Sequence, residues 1–288
     1  MRDTVIGRSF ARLRRASRGP GDEFRNELEI QVFGLRRSGN HGLIAWMAQQ
    51  YPAPVVFLNN ARPFTDPFTH HMLGKVPNAV PVRRLSPEQI QKLRRRRKPL
   101  LIVSYEDLRL PKLSRGGPIA DHDSTVGASR SVRRALLLRD FYNWLASRVR
   151  LFESRAESDE AVVHRTASHV RLWMQYAKEF VGETNELGTD VVRVQFNAWT
   201  DDMGYRARIA EQLKIPLTNN TRATVPKTGG GSSFDGTAYS GEADSMDLHN
   251  RWKYLQDPKY APLLQIVNRN RECIERYNLR IFDMPFPF

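Results

Sequence analysis

Cysteine is almost missing from this chain of 288 residues: Cys273 stands alone, which excludes an internal disulfide and any cysteine-based zinc cluster. No run of about 20 apolar residues occurs, so no segment is suited to cross a bilayer as a helix. Residues 1–20 carry arginines but no apolar block of the kind a secretory leader needs. Their Arg and Ser content is that of an organellar transit segment, but Asp3 and the lack of amphipathic order count against one. Together these gaps point to a reducing cytoplasm. Zinc-finger spacing, RRM aromatic signatures and basic-zipper heptads are absent too, so nucleic acid is not an expected partner. No internal repeat is present.

Positive charge is what the chain has in excess: 45 Lys and Arg against 31 Asp and Glu, a net charge of +14. Such a balance suits a polyanionic small molecule, a nucleic acid or an anionic membrane surface, so peripheral membrane contact stays open. The densest run, Arg94, Arg95, Arg96, Arg97 and Lys98, reads as a solvated helix end where cations complement the helix dipole. Hydrophobic residues at 40% and charged residues at 26% are those of a globular protein with a full core.

Short apolar runs alternate with longer helical patterns. Residues 28–34 (LEIQVFG), 55–60 (VVFLNN), 99–106 (PLLIVSYE), 135–139 (ALLLR) and 191–197 (VVRVQFN) read as strands buried on both faces. Helices are expected over 41–50, 87–97, 142–154, 161–183, 204–213 and 260–277. This alternation predicts an α/β fold, a parallel sheet of about five strands with helices on both faces, and a ligand site at the carboxyl ends of the strands. Residues 109–129 and the glycine-rich stretch 227–245 read as loops. The expected organisation is a basic extension over 1–22, then one domain over 23–288.

Two places along this pattern suit an anion. Gly34, Leu35, Arg36, Arg37, Ser38, Gly39, Asn40 and His41 follow the first strand and open a helix. Backbone N–H groups in such a turn and the positive helix end form an anion cradle. The Gly34-x4-Gly39 spacing matches the opening of a nucleotide-binding P-loop, but Asn40 and His41 stand where that motif has Lys and then Ser or Thr. The Mg²⁺-holding hydroxyl is thus missing, which argues against a kinase or ATPase, and no metal is expected. The second place is Arg139, ending a buried strand, with Ser147 eight residues on. Because helical side chains tilt toward the N-terminus, the Ser147 hydroxyl can point back at Arg139, and the two can share one phosphate. The bland alternative is an Arg139–Asp140 turn contact and a Ser147 bonded to its own helix.

The pair of motifs resembles the PAPS-dependent sulfotransferases, which move a sulfuryl group from 3′-phosphoadenosine 5′-phosphosulfate (PAPS) and release PAP. The resemblance runs over residues 27–216 and more loosely over 227–264. It implies a P-loop-type fold in which Arg36, Arg37, Ser38, Gly39, Asn40 and His41 grip the 5′-phosphosulfate and Arg37 contacts the sulfuryl group. Arg139 and Ser147 would then hold the 3′-phosphate. Residues 192–197 with Trp199 and Tyr205 resemble the strand and helix near the adenine side. Lys227, Gly229 and Gly230 would belong to the glycine-rich loop that closes over the 3′-phosphate, although the usual Arg-Lys-Gly triplet is not there. The acceptor implied is a hydroxyl compound, a carbohydrate or glycolipid before a small alcohol or phenol.

Sulfuryl transfer is an in-line displacement in which charge builds on the leaving oxygen, where Arg37 and Arg36 would stabilise it. The attacking hydroxyl needs a general base. Ser104, Tyr105, Glu106 and Asp107 end the third expected strand, so Glu106 leads for that role, with Asp107 behind it. His70 and His71 are alternatives in a proline-containing loop. His164 and His169 are five apart, off a common helical face, which argues against a metal pair. Tyr142, Trp144, Trp173 and Tyr176 are spaced as core residues, and the C-terminal Pro285, Phe286, Pro287 and Phe288 should dock on the body.

Overall fold

A computed structural model of the protein describes residues 24–112, 125–155, 158–222, 225–226 and 231–288. The extension over 1–22 and the glycine-loop residues Lys227, Gly229 and Gly230 lie outside them. In chain order the main elements are β1 (Asn26–Gly34), α1 (Asn40–Gln49), β2 (Val55–Leu58), β3 (Ala79–Val80), α2 (Pro87–Arg95) and β4 (Lys98–Glu106). They continue with β5 (Ser129–Leu138), α3 (Phe141–Glu153), α4 (Asp159–Phe180), β6 (Val191–Gln195), α5 (Phe196–Asp201), α6 (Met203–Leu213), α7 (Ala261–Arg269) and α8 (Arg271–Phe282).

The strands form one all-parallel sheet in the order β3-β2-β4-β1-β5-β6. Strand β1 is central, pairing Gly34 with Glu106 of β4 on one side and with Leu137 of β5 on the other. The chain reverses direction across the sheet beside β1, so the carboxyl ends of β4, β1 and β5 open the crevice where α/β proteins place ligands. Two cores sandwich the sheet. Leu28, Ile30 and Val32 of β1 join α1 and α6 on one face; Phe33 joins α3, α4, α7 and α8 on the other. Side-chain alternation along a strand makes this two-sided burial possible.

Five of the six strands are those the sequence suggests. The sixth, β3, has two residues, too short for an apolar run to announce it. Strand β5 starts six residues before the expected Ala135, because Ser129, Ser131, Val132, Arg133 and Arg134 pair with β1 despite their polarity. The polar stretch is accommodated by polar partners on β1: Ser129 Oγ donates to Glu29 Oε2 at 2.6 Å, and Arg134 Nε donates to Gln31 Oε1 at 3.3 Å. Strand β6 stops at Gln195, whose side chain caps α5 by accepting from Ala198 N. The single helix expected over 260–277 is two, broken at Asn270. The four expected core aromatics, Tyr142, Trp144, Trp173 and Tyr176, are fully buried.

Candidate anion-binding and catalytic site

The turn between β1 and α1 is held by two close approaches. Gly34 lies under Asn40, whose Oδ1 would stand 1.9 Å from a Cβ at that position. Gly39 has φ +95°, and a Cβ there would meet the Phe196 ring at 2.1 Å. Glycine is therefore required at both ends of the loop on steric grounds. Arg37 between them is left-handed at φ +71°, an uncommon conformation for a residue with a side chain. As the N-cap of α1, Gly39 supplies no capping side chain. The first N–H groups of α1 thus lack acceptors within the helix, at an end that also lines the cavity.

Asn40 is what the loop has in place of the P-loop lysine. Its Nδ2 donates to Leu35 O at 2.9 Å and to Glu106 Oε1 at 3.0 Å, tying the loop to the end of β4. Ser38 is fully buried and its hydroxyl has no hydrogen-bond partner among the described residues. His41, in the first turn of α1, pairs through Nε2 with Asn59 Oδ1 at 2.9 Å.

The second anchor carries both of its readings at once. Arg139 Nη1 donates to Ser147 Oγ at 3.2 Å, and Ser147 Oγ itself donates to Asn143 O of its own helix at 2.9 Å. The same guanidinium donates from Nη2 to Leu248 O at 2.6 Å and lies 5.0 Å from the centre of the Phe196 ring. Asp140, fully buried, caps α3 by accepting from Asn143 N.

Both anchors open onto one cavity of about 250 Å³. Arg36, Arg37, Arg139, Arg155, Arg222 and Arg251 line it, and Glu106 is the one carboxylate among the described lining residues. Burial and the neighbouring Arg251 push Arg37 down to about 10. Arg139 is pushed down to about 9 by burial and by Arg251, with Asp140 opposing. Burial lowers Arg251 and Arg222 as well. All remain cations at neutral pH, and an anion among them would relieve both the burial and the mutual repulsion. Beside the arginines the wall also carries apolar side chains, Ala45, Trp46, Trp199, Val225, Pro226 and Met246.

Of the residues singled out in the sequence, Arg36, Arg37, Gly39, Asn40, His41, Glu106, Arg139 and Ser147 share this cavity wall. Ser38 is buried in the same loop as Arg37 and does not line the cavity. His70 is not brought there: it is exposed and pairs with Thr69 Oγ1 through Nδ1 at 2.8 Å. Asp107 is used as a brace rather than as a lining group, accepting from Arg36 N at 2.9 Å and from Arg148 Nη1 at 2.8 Å. Tyr205 is off the wall as well, its hydroxyl accepting from Gln195 N.

Three lining arginines escaped the sequence reading. Arg251 opens a short 3-10 helix and donates from Nη2 to Ser232 Oγ and Asp235 Oδ2, both at 2.9 Å, anchoring the described part of the glycine-rich loop. Arg37 reaches the same loop, donating from Nη2 to Gly231 O at 3.0 Å. Arg222 pairs with Asp244 at 2.8 Å and lies 5.8 Å from the Trp199 ring centre. Neither Arg222 nor Arg251 sits in a motif, so charge was the only available signal. Arg155 had a spacing signal, since Ser147 and Leu151 follow at a four-residue step on α3, Arg155 comes four residues on just past the helix end, and all three line the cavity.

No family model matches this sequence, and no curated protein matches it either. Among solved structures the chain is similar to the crystal structure of mouse sulfotransferase SULT7A1 complexed with PAP. The likeness spans 89% of this chain and 86% of that one, at 13% identity and a TM-score of 0.44. At that identity and score the likeness adds nothing to the site argument, which rests on the residues above.

Proposed function

We propose that this protein is a sulfotransferase that takes its sulfuryl group from PAPS and transfers it to a hydroxyl acceptor. The observation that carries the reading is the pairing of two separate anion anchors, the Gly34–Asn40 loop and Arg139 with Ser147, on a single cavity wall that also holds Glu106. A nucleotide with phosphates at both the 5′ and 3′ positions is a ligand of that shape. The uncapped end of α1 and Arg37 suit the 5′-phosphosulfate, Arg139 and Ser147 the 3′-phosphate, and the apolar recess beside Trp46, Trp199 and Val225 the adenine ring.

PAPS would supply an activated sulfuryl group whose departure leaves charge on the 5′-phosphate. The chain's part is to receive that charge and to prepare the acceptor. Arg37 and Arg36 stabilise the developing charge through fixed cations in a partly dry site, which is where such stabilisation is strongest. Glu106 takes the proton of the attacking hydroxyl. Its carboxylate is oriented by Asn40 Nδ2 at 3.0 Å and lies 3.6 Å from Arg36 Nε, at the carboxyl end of β4 on the cavity wall. The acceptor is proposed only as a hydroxyl compound.

Thermal unfolding with PAP, with AMP and with ATP plus Mg²⁺ tests the donor. PAP at about 100 times its dissociation constant should add roughly 2.7 kcal/mol of stability, a readily visible rise in Tm. A rise with Mg-ATP and none with PAP would replace this reading with a phosphotransferase.

A further inference from the structure

The anion loop is gripped from behind by groups that never reach the cavity. Arg36 has both of its backbone polar groups held by side chains: Asp107 Oδ1 accepts from Arg36 N at 2.9 Å, and Trp144 Nε1 donates to Arg36 O at 2.9 Å. Behind them, Arg148 Nη1 donates to Asp107 Oδ2 at 2.8 Å and Arg148 Nη2 donates to His169 Nε2 at 2.8 Å. The His169 ring stands edge-on to Trp144, 6.1 Å between centres, and stacks on Phe152 at 5.3 Å. The contacts run from the end of β4 through α3 to α4 and back, so every member has two neighbours that fix it.

Asp107 reaches this place only by taking a left-handed backbone, φ +55°, immediately after Glu106 ends its pairing with Gly34. That conformation is uncommon for a residue with a side chain, although aspartate adopts it more readily than most, and it persists where the surroundings over-determine it. Arg148 is a charge sunk in the core, 5% exposed, with Asp107 as its carboxylate partner. A charge buried so far from solvent is expensive, and what it holds in place is the Asp107 carboxylate, which in turn holds Arg36 N of the anion loop.

We propose that Asp107 and Trp144 are positioning residues for the 5′-anion: by fixing the backbone on both sides of Arg36 they aim the amides that follow it, and the Arg37 guanidinium, at one point in the cavity. Arg148 and His169 hold Asp107 and Trp144 in turn. The inference rests on the reading that this loop takes a phosphate or sulfate group, and it concerns only that half of the ligand.

The test separates the two halves. Trp144→Phe keeps an aromatic ring, though a smaller one, and removes the N–H; Asp107→Ala removes the acceptor; Asp107→Asn restores an acceptor without the charge. Dissociation constants for PAP, AMP and adenosine 3′-phosphate are measured by calorimetry well below each variant's Tm. The expected result is an approximately tenfold or greater weakening of PAP and AMP for Trp144→Phe and Asp107→Ala, as the loss of one orienting hydrogen bond implies. Partial recovery is expected in Asp107→Asn, and adenosine 3′-phosphate should bind as before. A lower Tm with unchanged PAP binding would overturn the proposal, since the group would then be packing alone. Equal weakening of all three nucleotides would overturn it too. If the wild-type protein ignores the nucleotides, pyrophosphate carries the test. A pyrophosphate-induced rise in Tm that Trp144→Phe and Asp107→Ala both lose would uphold the positioning role while the PAPS reading falls, and a rise that survives in them, or is absent from the wild type, would overturn the role.

Discussion

At the scale of single residues, identity matters most where the space around a side chain is already taken. Gly34 and Gly39 are dictated by Asn40 and Phe196, and Asn40 in turn ties the loop to Glu106. Glu106 is the residue whose chemistry is most directly testable. Glu106→Gln keeps the size and an acceptor for Asn40 but cannot take a proton. With donor and acceptor saturating, turnover should fall by about a hundredfold or more, the range general-base assistance supplies, while PAP binding measured by calorimetry stays within a few fold. Wild-type turnover in the variant would remove Glu106 as the base. The sequence could nominate Glu106 because it ends an apolar strand; it could not separate Glu106 from Asp107. The separation is a matter of backbone direction. Glu106 still pairs in the sheet, whereas Asp107 turns left-handed and points its carboxylate behind the loop.

At the scale of elements, helix ends show how local chemistry and tertiary contact divide the work. Helix α2 begins with a capping box that the sequence spells out: Ser86 accepts from Gln89 N, and Gln89 returns the bond to Ser86 N. Its other end sits in the basic run. Lys98, rather than solvating there, is 3% exposed and donates from Nζ to Leu93 O, Arg94 O and Arg96 O at 3.3, 3.2 and 2.8 Å. One lysine of the run is therefore a C-terminal cap for the helix before it. Lys98→Met should leave those carbonyls without their donor and lower stability by about 1–3 kcal/mol, read as a lower urea midpoint with an unchanged slope. Elements built on apolar runs were legible in the sequence. The first half of β5 was not, since its polar residues carry no apolar signal: Ser129 is buried against Glu29, and the half-buried Arg134 is received by Gln31 of the neighbouring strand.

Across the whole molecule, distant segments meet at the site. The C-terminal Phe286 and Phe288 pack edge-on against Tyr142, and Phe288 against Trp252, next to the cavity residue Arg251. Trp252 N in turn donates to Asn143 Oδ1 at 3.0 Å, on the helix that carries Ser147. The brace behind the anion loop also has a signature in global stability. Burial, then Arg148, pushes His169 down to about 4, whereas an unfolded histidine titrates near about 6.5. Between those values the unfolded chain binds a proton that the folded chain refuses, so stability falls as pH drops from about 6.5 toward 4 and this contribution levels off below. Urea midpoints at pH 7.5 and pH 5 should therefore differ less in His169→Gln than in the wild type, because glutamine can accept from Arg148 but does not titrate. An identical pH dependence in the two would show that His169 takes a proton freely in the folded state.

By itself, the sequence determined the alternation of strands and helices, the glycine turn after β1, and the eight-residue step from Arg139 to Ser147. Those features depend on neighbours along the chain, through side-chain periodicity, steric limits on φ and the tilt of helical side chains. Only the tertiary structure decided that Arg222 and Arg251 join the cavity, that Asp107 braces rather than lines it, and that His70 stays outside. Each of those depends on where a segment lies after the sheet has ordered its strands, and hydrogen bonds between residues as far apart as Arg37 and Gly231 leave no trace in local pattern.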